Sequence, residues 1–208
     1  MNYNLTTENI TENYGENLLK QRGIESVDLF LNPQPCSLQD WRDLNNIESG
    51  IQLIKDTINN NLPYALIIDP DVDGFPSSTI LYNYIKFLNP NKEIEYFLHN
   101  GKQHGLEDMW EELQEKEYCA ILVPDAGSND SQYASNLKCP VLVLDHHILE
   151  DEYLSENLVL INNQTSNKYR NKNLSGAGVV WQFCRALDYL FNVNYTDDFI
   201  DLAALGIN

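Results

Sequence analysis

Four short, almost unbroken apolar runs constrain this chain most: residues 64–68, 120–123, 141–144 and 158–161. Each is too short for a globular helix, is rich in Ile, Leu and Val, and lacks polar alternation, which marks strands buried on both faces. Residues 93–98 make a fifth candidate strand. Between the strands the apolar spacing turns helical. Residues 77–88 carry Ile80, Leu81, Tyr84, Ile85 and Leu88 on one face, and residues 106–116 and 130–137 read as further helices. Strands and helices in turn imply crossover connections, hence an α/β fold whose mostly parallel sheet has helices on both faces. A helix opening at Ser37-Leu38-Gln39-Asp40 and carrying Leu44, Ile47, Ile51, Ile54 and Ile58 precedes the first strand. Helices over residues 175–190 and 197–205 close the chain. Residues 1–36 read as a polar surface arm, and residues 37–208 as one domain.

In parallel sheets ligands gather beyond the carboxyl ends of the strands, and three of these ends carry polar clusters. The first is Asp69-Pro70-Asp71-Val72-Asp73-Gly74. Were the strand to run on through it, the three carboxylates would share one face, because extended backbone alternates with period two. Like charges about 4 Å apart repel by roughly 4 kcal/mol at an effective dielectric near 20, and a hard divalent cation is the simplest relief. An EF-hand loop would need Glu at its twelfth position, where this chain has Ile80, and a helix in front. A solvated acidic turn stays open on this motif alone. The second cluster is Asp125-Ala126-Gly127. The third, Asp145-His146-His147, places two of the chain's four histidines at one strand exit. Imidazole beside carboxylates suits a transition metal such as manganese better than magnesium or calcium.

A formal net charge of −18 and a pI near 4.3 argue against nucleic-acid binding by bulk electrostatics. They leave room for an enzyme whose local cations recruit phosphate. Lys168, Arg170 and Lys172 form a basic loop, read equally as solvated or as touching phosphate. Ser175-Gly176-Ala177-Gly178 opens a helix, where glycine amides make an anion site or permit close packing. Cys119, Cys139 and Cys184 sit in apolar contexts and read as reduced core residues. With no leader pattern and no long apolar run, a soluble cytoplasmic protein without membrane contact is expected.

Taken in order, these motifs resemble the DHH phosphoesterase superfamily, and within it the RecJ-like single-strand-specific exonucleases, from about residue 38 to residue 208. The match is to the N-terminal DHH domain, in a form that fits a phage-type variant. The resemblance implies Asp71 and Asp73 as metal carboxylates, Asp125 as the carboxylate bridging two metals and His146 as the imidazole ligand. It implies that His147 faces the substrate phosphate and that Asp145 orients the pair. Asp69 belongs to the D-x-D-x-D-G form typical of RecJ proteins. Where the superfamily usually carries a His, this chain has Ile67, which implies either a weaker metal position or Asp69 as the substitute ligand. Ala204-Leu205-Gly206 matches the start of a closing motif whose metal-binding Asp would lie beyond Asn208, which implies a longer protein with a C-terminal substrate domain.

The expected activity is hydrolysis of single-stranded DNA from an end, with up to two manganese ions, or magnesium in their place, clamping the phosphate. Ser175, Gly176, Ala177 and Gly178 would bind phosphate, and Lys102 or His104 the next nucleotide. Replication or repair proteins are candidate partners. Two other readings are a phosphodiesterase of short oligonucleotides or cyclic dinucleotides, and a catalytically silent scaffold of the same fold.

Overall fold

The computed structural model describes residues 13–99, 105–150 and 155–207. The chain divides into two compact units, Met1–Gln39 and Asp40–Asn208. In the first, two short helices, α1 (Tyr14–Gln21) and α2 (Val27–Leu31), replace the featureless arm expected from its composition.

In the second unit α3 (Ile47–Thr57), β1 (Tyr64–Ile68), α4 (Gly74–Leu88), β2 (Ile94–Leu98) and α5 (Trp110–Leu113) come first. β3 (Ala120–Pro124), α6 (Ser131–Ala134), β4 (Val141–Asp145), β5 (Leu158–Asn162), α7 (Gly176–Phe191) and α8 (Ile200–Ile207) follow. The five strands form one sheet in the order β2-β1-β3-β4-β5, and every pairing is parallel. One face packs on α3, α4, α7 and α8 through Ile54, Leu66, Ile80, Leu142, Phe183 and their neighbours. The other packs on the α5 and α6 segments through Leu106, Leu113, Ile121, Val143 and Leu137. The α/β architecture read from the apolar runs is therefore the observed one. Its order reverses between β1 and β3, since β2 lies on one side of β1 and the remaining strands on the other, and such a switch point opens a crevice at the carboxyl edge.

Helix bounds are where the sequence misled. The helix expected from Ser37 begins at Ile47, ahead of which stand a 3-10 turn at Trp41–Asp43 and Asn46 in the left-handed region at φ 61°. Tertiary bonds hold that entry: Asn46 Nδ2 donates to the Leu160 carbonyl at 2.7 Å, and the Asn45 N–H to Ser166 Oγ at 2.8 Å. The helix expected over residues 106–116 shrinks to the four residues of α5. Glu107 and Glu111, Asp108 and Glu112, and Glu111 and Glu115 would face each other one turn apart, and like charges at that spacing oppose a helix. Moreover, the Leu106 N–H is taken by Asp130 Oδ2 at 2.6 Å. α6 is likewise shorter than expected.

Candidate metal centre

The first acidic motif leaves the sheet at once. β1 ends at Ile68, and Asp73 has helical backbone (φ −91°, ψ −39°), so the three carboxylates do not share a strand face as the alternation suggested. A turn gathers them instead. Asp71 Oδ1 accepts from the N–H groups of Asp73 at 2.8 Å and Gly74 at 2.7 Å, which caps α4. Gly74 is required there, because a Cβ would lie 2.2 Å from the Asp69 carbonyl oxygen. Asp69 is buried, and its carboxylate, with those of Asp71 and Asp125, brings three oxygens within 4.8 Å of one another.

Asp73 turns toward α7. Its Oδ2 accepts the Gly176 N–H at 2.8 Å and its Oδ1 the Ala177 N–H at 2.9 Å, while Ser175 Oγ accepts the Gly178 N–H at 3.1 Å. The first-turn amides expected to hold a phosphate therefore hold the protein's own carboxylate and cap. The helix N-terminus attracts an anion as anticipated, but a side chain from the first motif supplies it.

Asp125, at the exit of β3, sits in the left-handed region at φ 65° with its carboxylate 1% exposed. Its Oδ1 has no hydrogen-bond partner among the described residues. Burial, followed by the charges of Asp73, Asp145, Asp71 and Asp69, pushes its pKa up to about 9. Facing it is His146. The His146 Nδ1 lies 3.1 Å from the Leu174 carbonyl, which can only accept, so Nδ1 carries a proton and Nε2 is the ring atom turned toward the carboxylates. That Nε2 lies 3.4 Å from Asp125 Oδ1 and 3.7 Å from Asp73 Oδ2. His146 Nε2 thus faces two carboxylates, one of them with a buried oxygen that has no donor among the described residues, a donor set that a divalent cation can use.

His147 takes another direction. Its Nδ1 donates to Asp145 Oδ1 at 2.8 Å while half the ring stays exposed. The Asp145 hydrogen bond raises the His147 pKa against the opposing effect of burial. Burial pushes Asp145 up, but bonds from His147, Ser128 and the His146 N–H outweigh it and hold the carboxyl below its usual range. Asp145 is the hub of this corner, accepting the Ser128 N–H at 3.0 Å and the His146 N–H at 2.7 Å. Asp125, Asp145, His146 and His147 also bring ligand-type atoms within 4.8 Å of one another.

Several supports escaped the sequence. Asn162, fully buried, donates to Ser128 Oγ and to the His147 carbonyl, both at 2.8 Å, and so braces the histidine turn. Its position at the exit of an apolar strand was the available signal. Gly206 abuts the site, because a Cβ there would lie 2.4 Å from Asp73 Oδ1. Ile67, at the position of the superfamily His, is buried among Ala65, Phe97 and Ile121 on the α5 and α6 side. Lys172 is a structural clamp, donating to the carbonyls of Asn163, Gln164 and Ser166. Lys102 and His104 lie outside the described residues. The cysteines are free, Cys119 and Cys184 buried, Cys139 half-buried and Cys36 exposed. Among the described residues no helix is long and apolar enough to cross a membrane.

A 2-1-3-4-5 parallel sheet with carboxylates and imidazoles gathered at its carboxyl edge defines an α/β domain with a candidate metal site at the switch point. The description "DHH family, N-terminal domain" matches residues 66–207, and the chain belongs to the DHH family. It is 36% identical over 192 residues to YorK of Bacillus subtilis (strain 168), provisionally named an SPbeta prophage-derived single-strand DNA-specific exonuclease. That alignment covers 91% of this chain and 32% of YorK, so the chain spans about a third of that relative's length. Exonuclease RecJ bound to manganese superposes with a TM-score of 0.69 at 20% identity, over 78% of this chain and 42% of that one. RecJ from Thermus thermophilus, in complex with Mg2+, gives 0.58 at 19% identity, over 90% of this chain and 23% of that one. At such identities the likeness shows the fold alone.

Proposed function

We propose that this chain is the metal-binding domain of a RecJ-like exonuclease that hydrolyses single-stranded DNA from an end. The observation that carries this reading is Asp125: a buried carboxylate oxygen without a donor, ringed by Asp69, Asp71, Asp73 and His146. Leaving such a group without compensation is costly, and a cation supplies the compensation. Asp69, Asp71, Asp73, Asp125 and the Nε2 of His146 would be its donors. Divalent ions bound there, manganese or magnesium, would supply Lewis-acid activation of water and stabilise the leaving oxygen.

The remaining roles fall to the protein's own groups. Leu174 and Asp145 fix the two imidazoles by their Nδ1 atoms, so each ring aims its Nε2 edge. The Asp145 hydrogen bond raises the His147 pKa and so favours the imidazolium, whose exposed Nε2–H can donate to a phosphate oxygen as charge builds in the transition state. The names of YorK and RecJ support the substrate class, and the bulk charge of −18 fits a site that recruits phosphate through bound cations. We place a further substrate-binding domain in the longer protein, as the partial coverage of YorK suggests.

The test is manganese titration calorimetry together with exonuclease assays on the full-length protein. Asp125→Ala and His146→Ala should each abolish tight manganese binding and digestion of single-stranded DNA. Undiminished turnover in either variant would refute the site, and preference for dinucleotides over long strands would reassign the substrate.

A further inference from the structure

On the side of the sheet that α4 covers, the cover stops short of the edge. β2 is an edge strand, and in its parallel register with β1 Tyr96 stands beside Leu66 and Leu98 beside Ile68, on one face. α4 buries Leu66 but leaves Tyr96 67% and Leu98 45% exposed. Between this bare strip and the outer stripe of α4 runs a groove lined by Ile68, Phe75, Thr79, Tyr82, Asn83 and Tyr96, among others. Phe75, Thr79, Tyr82 and Asn83 fall on one helical face.

Three features decide what fits. The rings of Phe75, Tyr82 and Tyr96 offer flat apolar faces, of which Phe75 is 49% exposed. The lining contains no charged side chain, in a protein of formal charge −18 whose carboxylates would turn a polyanion away elsewhere. A cation stands one helical turn past Tyr82, where Lys86 Nζ is 5.9 Å from the Tyr82 ring centroid. The groove lies next to the acidic motif, since its lining residues Ile68 and Phe75 flank Asp69–Gly74 in the chain. From Phe75 to Lys86 the helix rises about 16 Å, room for a few bases stacked at about 3.4 Å.

We propose that this groove carries single-stranded nucleic acid at the metal centre, with successive bases stacked on Phe75, Tyr82 and Tyr96. The inference rests on the function proposed above and adds the path of the substrate. Stacking tolerates any base sequence, and it suits a protein that cannot hold a strand by bulk charge. Affinity in the groove therefore changes little with salt, unlike binding through many phosphate contacts.

The test is photo-crosslinking and fluorescence anisotropy with an oligothymidylate of about eight nucleotides carrying 5-iodouracil, on the full-length protein in chelator. Crosslinks are expected at Tyr82 and Tyr96. Tyr82→Ala and Tyr96→Ala should each weaken binding roughly tenfold, whereas Tyr96→Trp, which restores a stacking ring, keeps it. Thermal melts verify that each variant folds. Crosslinks elsewhere combined with undiminished affinity in both alanine variants would overturn the groove, as would sedimentation showing it buried in a dimer. If the protein digests single strands while its crosslinks map elsewhere, only the path is wrong. If it neither binds nor digests them with manganese present, the proposed function fails as well.

Discussion

Gly176 donates its N–H to Asp73 Oδ2 at 2.8 Å, so the first turn of α7 grips a carboxylate from the start of α4, 103 residues earlier in the chain. The same glycine lies against Asp125, where a Cβ would come within 1.9 Å of Oδ1. One residue thus fixes the separation of two carboxylates assigned to the metal.

Gly176→Ala should consequently push Asp125 and Asp73 apart. The expected results are a stability loss of about 1–3 kcal/mol, typical of overpacking, and manganese affinity lower by at least tenfold. Thermal melts and calorimetric titration check both. An alanine variant that binds manganese as the parent does would show that the site tolerates a wider spacing.

The raised pKa of Asp125 sets a pH dependence. Burial and the neighbouring carboxylates push its pKa in the folded metal-free protein up to about 9 from the ordinary carboxylate value of 3.8. Because the folded value is the higher one, the stability it contributes is full below about pH 4 and is lost as pH climbs toward about 9. Melting temperature in chelator should accordingly fall between about pH 6 and pH 9. Manganese binding should strengthen over the same window and release a proton. Asp125→Asn, which cannot ionise, should flatten the melting profile; a profile just as steep in that variant would assign the pH dependence to another group.

His147→Gln separates the two imidazoles. With His146 as ligand and His147 as donor to phosphate, the variant should bind manganese normally while its kcat drops by about 10²–10³, the usual cost of one transition-state donor. Loss of manganese binding would instead make His147 a ligand. Asp145→Asn should resemble it, since Asp145 aims the His147 ring.

Far from the site, Lys92 tests the fold alone. Only 3% exposed, it donates from Nζ to the carbonyls of Thr57, Asn60 and Leu62 at 2.8–2.9 Å and lies 4.3 Å from the Tyr64 ring centroid. Lys92→Met should strand these carbonyls and cost about 3 kcal/mol by denaturant unfolding, leaving manganese affinity unchanged. A smaller loss than about 1 kcal/mol would mean that water replaces the ammonium.

Strands buried on both faces were legible because their residues can only be apolar, and the clusters holding Asp71, Asp125 and His146 stood out as candidates because they follow those apolar runs abruptly. The residues around them were not. Ser128 and Asn162 brace the histidine turn with groups common in any loop, and nothing in their local sequence marks the bond between them. The shortened α5 shows the limit from the other side: its apolar spacing was correct, but like charges and the pull of Asp130 on Leu106 prevailed.

By itself the sequence determined the layers of this protein and nominated the residues of its candidate site, because burial and backbone period act on each segment locally. Tertiary structure alone decided that Asp73 would occupy the amides of α7 and that Asp125 Oδ1 would find no donor among the described residues. Those outcomes depend on distances between segments a hundred residues apart, which packing of the helices against the sheet sets and no local preference encodes.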